Sequence, residues 1–291
     1  MSTSATVVVV HAHPDDEAIF TGVAIRRAVD RGARVVLVSA TAGEAGECQV
    51  RLADGETLQR RRLAELERAC ELLGVARLVH LGYQDSGAHR GPYRPGTLGA
   101  AATAEVTAGL ERVVREESAD ALVHYDPRGI TGHVDHVQVH RAGREVLART
   151  GVVGYEATLD RVAVRRGSYR LARNAAGHDR PLGVAPAAVS VAVEATGVEL
   201  LAKMAAMAVH HSQIATTWID PASFGQQYGR EWFVLRGRSG IFDSLMAGGE
   251  SGSHVSGPLD DHTFTANGWG TTGAAAGCTM MHGPIATRAN A

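Results

Sequence analysis

Four consecutive valines, Val7 to Val10, run without interruption into His11-Ala12-His13-Pro14-Asp15-Asp16-Glu17. A short β-branched run closed by a proline predicts a buried strand that stops where the histidines and acids begin. In an open α/β sheet, ligands gather in the crevice beyond the carboxyl ends of the strands. A His/Asp cluster directly after such a strand therefore marks a candidate site at the start of the chain.

The same alternation continues downstream. Helical spacing follows over Asp15 to Arg31, a second strand over Arg34 to Ala40, and a Gly-rich loop from Thr41 to Glu47. Thr57 to Leu73 reads as a helix closed by Gly74, Arg77 to Tyr83 as a third strand, Ala104 to Glu117 as a helix, and Ala121 to Tyr125 as a fourth strand. A long polar loop, Gln84 to Thr97, precedes the third helical stretch. Strands separated by helices imply right-handed crossovers and a mostly parallel sheet covered on both faces. The expected fold class is α/β, a Rossmann-like three-layer arrangement with a smaller C-terminal cap portion. Strands at Val152 to Tyr155, Val189 to Val193 and Trp232 to Leu235, with a helix near Val198 to His210, are read as sheet edge and cap.

At 291 residues, 45% of them hydrophobic and 21% charged, one such domain accounts for most of the chain. The domain is expected to span residues 1–247. Residues 248–291, rich in Gly, Ala and Ser, are expected to form a flexible or loosely docked tail. A net charge of −2 offers no general attraction to nucleic acid or an anionic membrane. Lys203 is the only lysine, which suggests GC-rich coding more than a phosphate-binding surface. Cys48, Cys70 and Cys278 are odd in number and form no C-x-x-C pair, so a reducing, cytoplasmic setting is expected. No segment has the length of a membrane span or the pattern of a signal peptide.

The chemistry lies in two clusters with one logic. His13 and Asp16 are three residues apart after the first strand, and His133 and His136 are three apart in Gly132-His133-Val134-Asp135-His136 after the fourth. Each pair can open a helix, and residues three apart share a helical face. Two imidazoles and one carboxylate form a catalytic zinc set that also tolerates iron(II). Taken singly, His13 reads as a hydrogen-bonded residue at a strand end and Asp16 as a first-turn acid facing the helix dipole.

The string Ala12-His13-Pro14-Asp15-Asp16-Glu17, with His133-x-Asp135-His136, resembles the LmbE-like (PIG-L) family of metal-dependent N-deacetylases. Further pieces agree in order: Thr41-x-Gly43-Glu44-x-Gly46-Glu47, Arg62-x-x-Glu65, Leu81-Gly82-Tyr83-x-Asp85-Ser86-Gly87, and Lys203 before His210-x-Ser212-Gln213. The resemblance covers about residues 5 to 245. It implies a Rossmann-like sheet and hydrolysis of an acetamide, typically on an N-acetylglucosamine conjugate. It implies His13, Asp16 and His136 as metal ligands, with Zn2+ first and Fe2+ as an alternative, and Asp15 as the general base acting on water. His133 looks like the histidine that stabilises the oxyanion and protonates the departing amine. Asp135 either orients a histidine or is an exposed loop acid. Arg62 and Asp85 match positions that grip sugar hydroxyls, although Arg62 also reads as a solvated charge among Arg60 to Arg62. Glu17 is read as support for the helix start, His11 as a buried structural histidine or pocket floor, and His210 as a packing or rim residue. Thr131 stands where some relatives carry a tyrosine.

The expected partner is a small amino-sugar substrate or a thiol conjugate, with a homo-oligomer possible and no nucleic acid or membrane. Rival readings are an amidase for a mycothiol-like S-conjugate, a tailoring enzyme of secondary metabolism, and a non-catalytic α/β binding module. The last lacks support, because no G-x-G-x-x-G follows the first strand and Pro14-Asp15-Asp16 puts negative charge where a pyrophosphate would sit.

Overall fold

Val7–Val10 form the middle of β1 (Thr6–His11), whose six residues are all buried. The computed structural model describes residues 4–88, 92–167, 169 and 182–247, with the backbone of 279–282. β1 pairs in parallel with β2 (Arg34–Thr41) on one side and β4 (Ala121–Tyr125) on the other. β3 (Arg77–Tyr83) extends the sheet beyond β2, and β5 (Val153–Thr158) extends it beyond β4, again in parallel. β7 (Arg230–Arg236) then pairs antiparallel with β5, and β6 (Val191–Glu194) pairs antiparallel with β7. A short β8 (Thr279–His282) adds in parallel to β3, giving the order β6-β7-β5-β4-β1-β2-β3-β8.

The expected α/β class and mostly parallel sheet are what the chain forms. Its C-terminal strands are less peripheral than the sequence suggests, since β7 lies inside the sheet between β5 and β6. Most of the proposed tail falls outside the described residues; the backbone of β8 is the exception.

The helices follow from their caps. α1 (Asp16–Asp30) starts directly after the His-Pro-Asp turn. In α2 (Leu58–Leu73), Thr57 accepts from the Arg60 N–H at the start and Gly74 closes the end at φ 82°. α3 (Thr103–Glu116) crosses back to β4. After β4 comes a one-turn element, α4 (Gly129–Gly132), and then α5 (Val134–Thr150), capped by the His133 side chain. Later helices among the described residues are α6 (Arg161–Arg165), α7 (Gly197–Val209), α8 (Pro221–Tyr228) and α9 (Ile241–Met246). α7 packs on α1 and α2, which brings the C-terminal portion against the element that begins at the His-Pro-Asp turn.

Strand order dictates where a site can form. The connection leaving β1 runs to β2 on one side, while β4 lies on the other side, so the loops after β1 and β4 diverge and open a crevice between them. Both chemical clusters emerge into it.

Candidate metal and catalytic site

The crevice brings three donor atoms into a small triangle. His13 Nδ1 lies 3.2 Å from His136 Nε2 and 3.4 Å from Asp16 Oδ2, and His136 Nε2 lies 3.3 Å from Asp16 Oδ2. With zinc–ligand distances of about 2.0–2.1 Å, the edge of a tetrahedron is about 3.3 Å. The spacing of the three donors fits one face of such a polyhedron, so these residues could hold a divalent cation together.

Neighbouring groups set the tautomers. His136 Nδ1 donates to the Gly129 carbonyl at 3.0 Å, which leaves Nε2 with its lone pair toward the triangle. His13 Nε2 faces Asp135 Oδ2 at 3.2 Å and Asp85 Oδ1 at 3.4 Å, so its lone pair belongs on Nδ1. An imidazole held by a carboxylate on its far nitrogen is the usual support of a metal-ligating histidine. Asp135 is fully buried and takes the Ser86 N–H at 2.9 Å and the Ser86 hydroxyl as well, which excludes the exposed-acid reading. His133 also stands within ligand reach: His13, His133 and His136 form one group of donors, and His13, Asp85, His133 and Asp135 form another that overlaps it.

Tyr125 is a site residue that the sequence reading missed. Its hydroxyl donates to Asp16 Oδ2 at 2.7 Å and accepts the Ala12 N–H at 2.9 Å. Its ring stacks on His136 with centroids 4.2 Å apart and planes 6° apart. Asp126 was missed too: it is buried, and one oxygen accepts the N–H groups of Arg128 and Ile130 at 2.9 and 3.0 Å. That bond network shapes the turn that precedes His133 and His136. Within the turn Ile130 adopts φ 57°, a strained conformation for a β-branched residue. Gly129 has φ 59°, and a Cβ there would stand 2.4 Å from His136 Cβ. Only glycine lets this backbone reach the histidine it orients.

Asp15 stands at the N-cap of α1 with φ 112° and ψ −30°. Arg62 is 3% exposed, so it is no solvated charge. Its guanidinium donates to the carbonyls of Gly43 and Pro14 and lies 3.3 Å from Asp15 Oδ2. Gly43, at φ 65°, makes this possible, because a Cβ would fall 2.4 Å from Arg62 Cζ. Asp85 is also buried; the Gly87 N–H donates to Oδ1 at 2.8 Å and the Ala45 N–H to Oδ2 at 3.3 Å. Arg62 and Asp85 therefore both brace the site's loops, whatever else they bind.

His133 Nδ1 accepts the Asp135 N–H at 3.2 Å, which places the neutral ring's proton on Nε2. The ring meets His13 edge-on, with centroids 4.7 Å apart. The Thr131 hydroxyl donates within its own turn, to the Gly129 carbonyl at 3.4 Å. His11 is buried, bonded to Thr21 at 2.8 Å and set edge-on to Tyr125, the structural role expected of it.

Electrostatics reflect a nest built for positive charge. Burial pushes the His13 pKa down, but hydrogen bonds to Asp135, Asp16 and Asp85 outweigh it and hold His13 well above its ordinary value. Burial likewise opposes ionisation of Asp16, yet His136 and His13 keep its carboxyl well below the usual range. A proton and a divalent cation compete for the same donors. Burial lifts Asp15 to about 6 against the pull of Arg62. Burial, with His13 and His136 beside it, lowers His133 to about 4.

The model of a known family, PIG-L, described as GlcNAc-PI de-N-acetylase, matches residues 8–147. A 1D-myo-inositol 2-acetamido-2-deoxy-alpha-D-glucopyranoside deacetylase from Kineococcus radiotolerans is 35% identical over 248 residues, spanning 72% of this chain and 68% of the relative. The chain belongs to the PIG-L family. A second PIG-L relative of the same name, from Thermobispora bispora, is 34% identical over 282 residues and 93% of its length is covered, with 84% of this chain. Among solved structures, the N,N'-diacetylchitobiose deacetylase from Pyrococcus horikoshii superposes with a TM-score of 0.55 at 22% identity, covering 80% of this chain and 84% of that one. That likeness shows a shared fold that extends beyond the segment matched by the family model. Among the described residues, no helix is long and apolar enough to cross a membrane.

Proposed function

We infer that the chain is a metal-dependent amide hydrolase that removes an acetyl group from an N-acylated amino sugar, with a 1D-myo-inositol 2-acetamido-2-deoxy-α-D-glucopyranoside as the first substrate to test. The observation that carries this reading is the triangle of His13 Nδ1, Asp16 Oδ2 and His136 Nε2, with edges of 3.2–3.4 Å, in a chain whose relatives bear that deacetylase name. Zinc suits the two-imidazole, one-carboxylate set best, and iron(II) is the alternative. A divalent cation held by these three residues supplies Lewis acidity, which makes water a competent nucleophile near neutral pH and polarises the amide carbonyl.

The protein's own groups do the proton work. Asp15 is the proposed base: a carboxylate aimed by Arg62 and beside the ligand Asp16 takes one proton from the attacking water. His133 is the proposed partner of the oxyanion, because its Nδ1 is committed to the Asp135 N–H and its Nε2–H is free to donate. The departing nitrogen needs a proton, since an amide anion is a very poor leaving group, and Asp15 gives it the proton taken from the water, while His133, neutral with its one proton on Nε2, stays a hydrogen-bond donor to the oxyanion. Asp135 keeps His13 oriented. Arg62 and Asp85 hold the loops that carry Gly43 to Ala45 and Gly87, and any sugar contact they make is added to that duty.

The acyl side of the pocket decides between acetyl and larger groups. Release of free amine is measured across a panel: the acetamido-glucosyl inositol, N,N'-diacetylchitobiose, and an N-acylated thiol conjugate. The reading expects turnover of the acetamido-glucosyl inositol above the others. Turnover confined to the thiol conjugate transfers the function to an amidase, and metal-loaded protein inert on the whole panel rejects the reading.

A further inference from the structure

His210 follows α7 in the C-terminal portion, yet its imidazole is buried against the start of α1, with Nε2 2.5 Å from Glu17 Oε1. Glu17 is also fully buried, and its other oxygen accepts the backbone N–H of Asp15 at 3.0 Å. Asp15 needs such help. Its φ of 112° is one that a non-glycine residue keeps only where the surroundings over-determine it, and its side chain makes no capping bond of its own.

Two anchors hold this peptide. Arg62 grips one side through the Pro14 carbonyl and the Asp15 carboxylate. Glu17, pinned by His210, grips the other through the N–H. The segment that carries His210 is secured separately: Ser212 bonds both oxygens of Glu65 at 3.1 and 2.6 Å, and Gln213 bonds the Glu47 carbonyl at 2.9 Å. The contact to Glu17 is therefore not needed to dock the segment.

We propose that His210 is a positioning residue for the base: by clamping Glu17 it fixes the Asp15 peptide and so aims the Asp15 carboxylate at the reacting water. This rests on the reading of Asp15 as the base given above. It also gives the C-terminal portion a direct task in catalysis, across 193 residues of sequence.

The test compares His210→Gln, whose amide nitrogen reaches about as far as Nε2, with His210→Asn, whose nitrogen stops short of Glu17. A misplacement of about 1 Å at a reacting group costs up to about 100-fold in rate. His210→Asn should lower kcat by about 10- to 100-fold, with KM within about 2-fold and metal content unchanged, while His210→Gln returns to within about 5-fold of wild type. In an Asp15→Ala background, His210→Asn should cost nothing further. A wild-type kcat in His210→Asn, equal losses in both variants, loss of bound metal, or a full additional loss on top of Asp15→Ala overturns the proposal. If the wild-type protein hydrolyses no amide, the functional reading fails, and the clamp is read instead from the Asp15 amide proton by NMR. That resonance should move upfield in His210→Asn and stay in place in His210→Gln; an unmoved resonance in both overturns the clamp.

Discussion

Replacing Lys203 by methionine should destabilise the protein by about 3–5 kcal/mol, the range observed when one member of a buried ion pair is removed. Lys203 is fully buried and its Nζ lies 2.7 Å from Glu231 Oε1. Glu231, also buried, does more than neutralise the lysine. Its two oxygens accept the N–H groups of Val23 and Ala24, in the middle of α1, at 2.8 and 2.9 Å. The nearby Ile19 carbonyl accepts from the Tyr169 hydroxyl at 3.3 Å. A carboxylate is thus wedged against the backbone of the helix whose first residue is Asp16. Without Lys203 it becomes a buried charge held only by two amide dipoles.

The pH dependence follows with a definite sign. Burial already raises the Glu231 pKa above its ordinary value despite Lys203. Loss of the lysine raises it further, so folded Glu231 binds its proton more tightly than the unfolded chain does. Stability from such a group is present below the unfolded pKa and is lost as pH rises. The deficit of Lys203→Met should therefore be largest near pH 7.5 and shrink toward pH 5. Urea unfolding followed by circular dichroism measures it. The double variant Lys203→Met/Glu231→Gln should return to within about 2 kcal/mol of wild type, since the uncompensated charge is gone. A single-variant loss under about 1 kcal/mol, or a double variant no better than the single, would show that Lys203 does not neutralise a buried Glu231 charge.

Three further outcomes are expected. Asp15→Ala should keep about one metal ion per chain and lose about 100-fold or more in kcat, whereas His136→Ala should lose the metal itself; elemental analysis with kinetics decides, and the reverse pattern overturns the assignments. Gly129→Ala should weaken metal binding by about 10- to 100-fold in a chelator competition, because a Cβ 2.4 Å from His136 Cβ displaces the carbonyl that orients His136; unchanged affinity would remove that carbonyl from the account. Burial lowers His124 to about 3, so its stabilising neutral form is favoured above the unfolded value of 6.5 and is opposed as pH falls below it; this group alone should cost about 2 kcal/mol between pH 7.5 and 5. His124→Asn, which keeps a donor for the Tyr125 carbonyl, should lose that pH-dependent part whatever constant offset the smaller side chain adds, and an undiminished acid sensitivity would contradict it.

The parts of the site that can be read from sequence are local ones. His13 with Asp16, and His133 with His136, sit at strand ends with helical spacing, and a parallel sheet leaves those ends in one crevice. Tyr125 carries no such mark. An aromatic residue ending a buried strand reads as core, and its bond to Asp16 exists only once β4 is known to lie beside β1. Glu17 with His210, and Lys203 with Glu231, are pairs joined by tertiary packing, which no spacing rule reaches. Arg62 was more legible than it was read, because it falls in phase with Leu66, Ala69 and Leu73 on the buried face of α2. Asp220-Pro221 likewise signals the cap and first turn of α8, a helix the periodicity did not reveal.

One divalent cation held by His13, Asp16 and His136 is what would make this chain an amide hydrolase. Its most direct test is to measure metal content by elemental analysis and acetate release from 1D-myo-inositol 2-acetamido-2-deoxy-α-D-glucopyranoside on the same purified sample, before and after chelation. About one divalent ion per chain is expected, with acetate release abolished by the chelator and restored by added metal. Acetate release that continues undiminished in metal-free protein would contradict it.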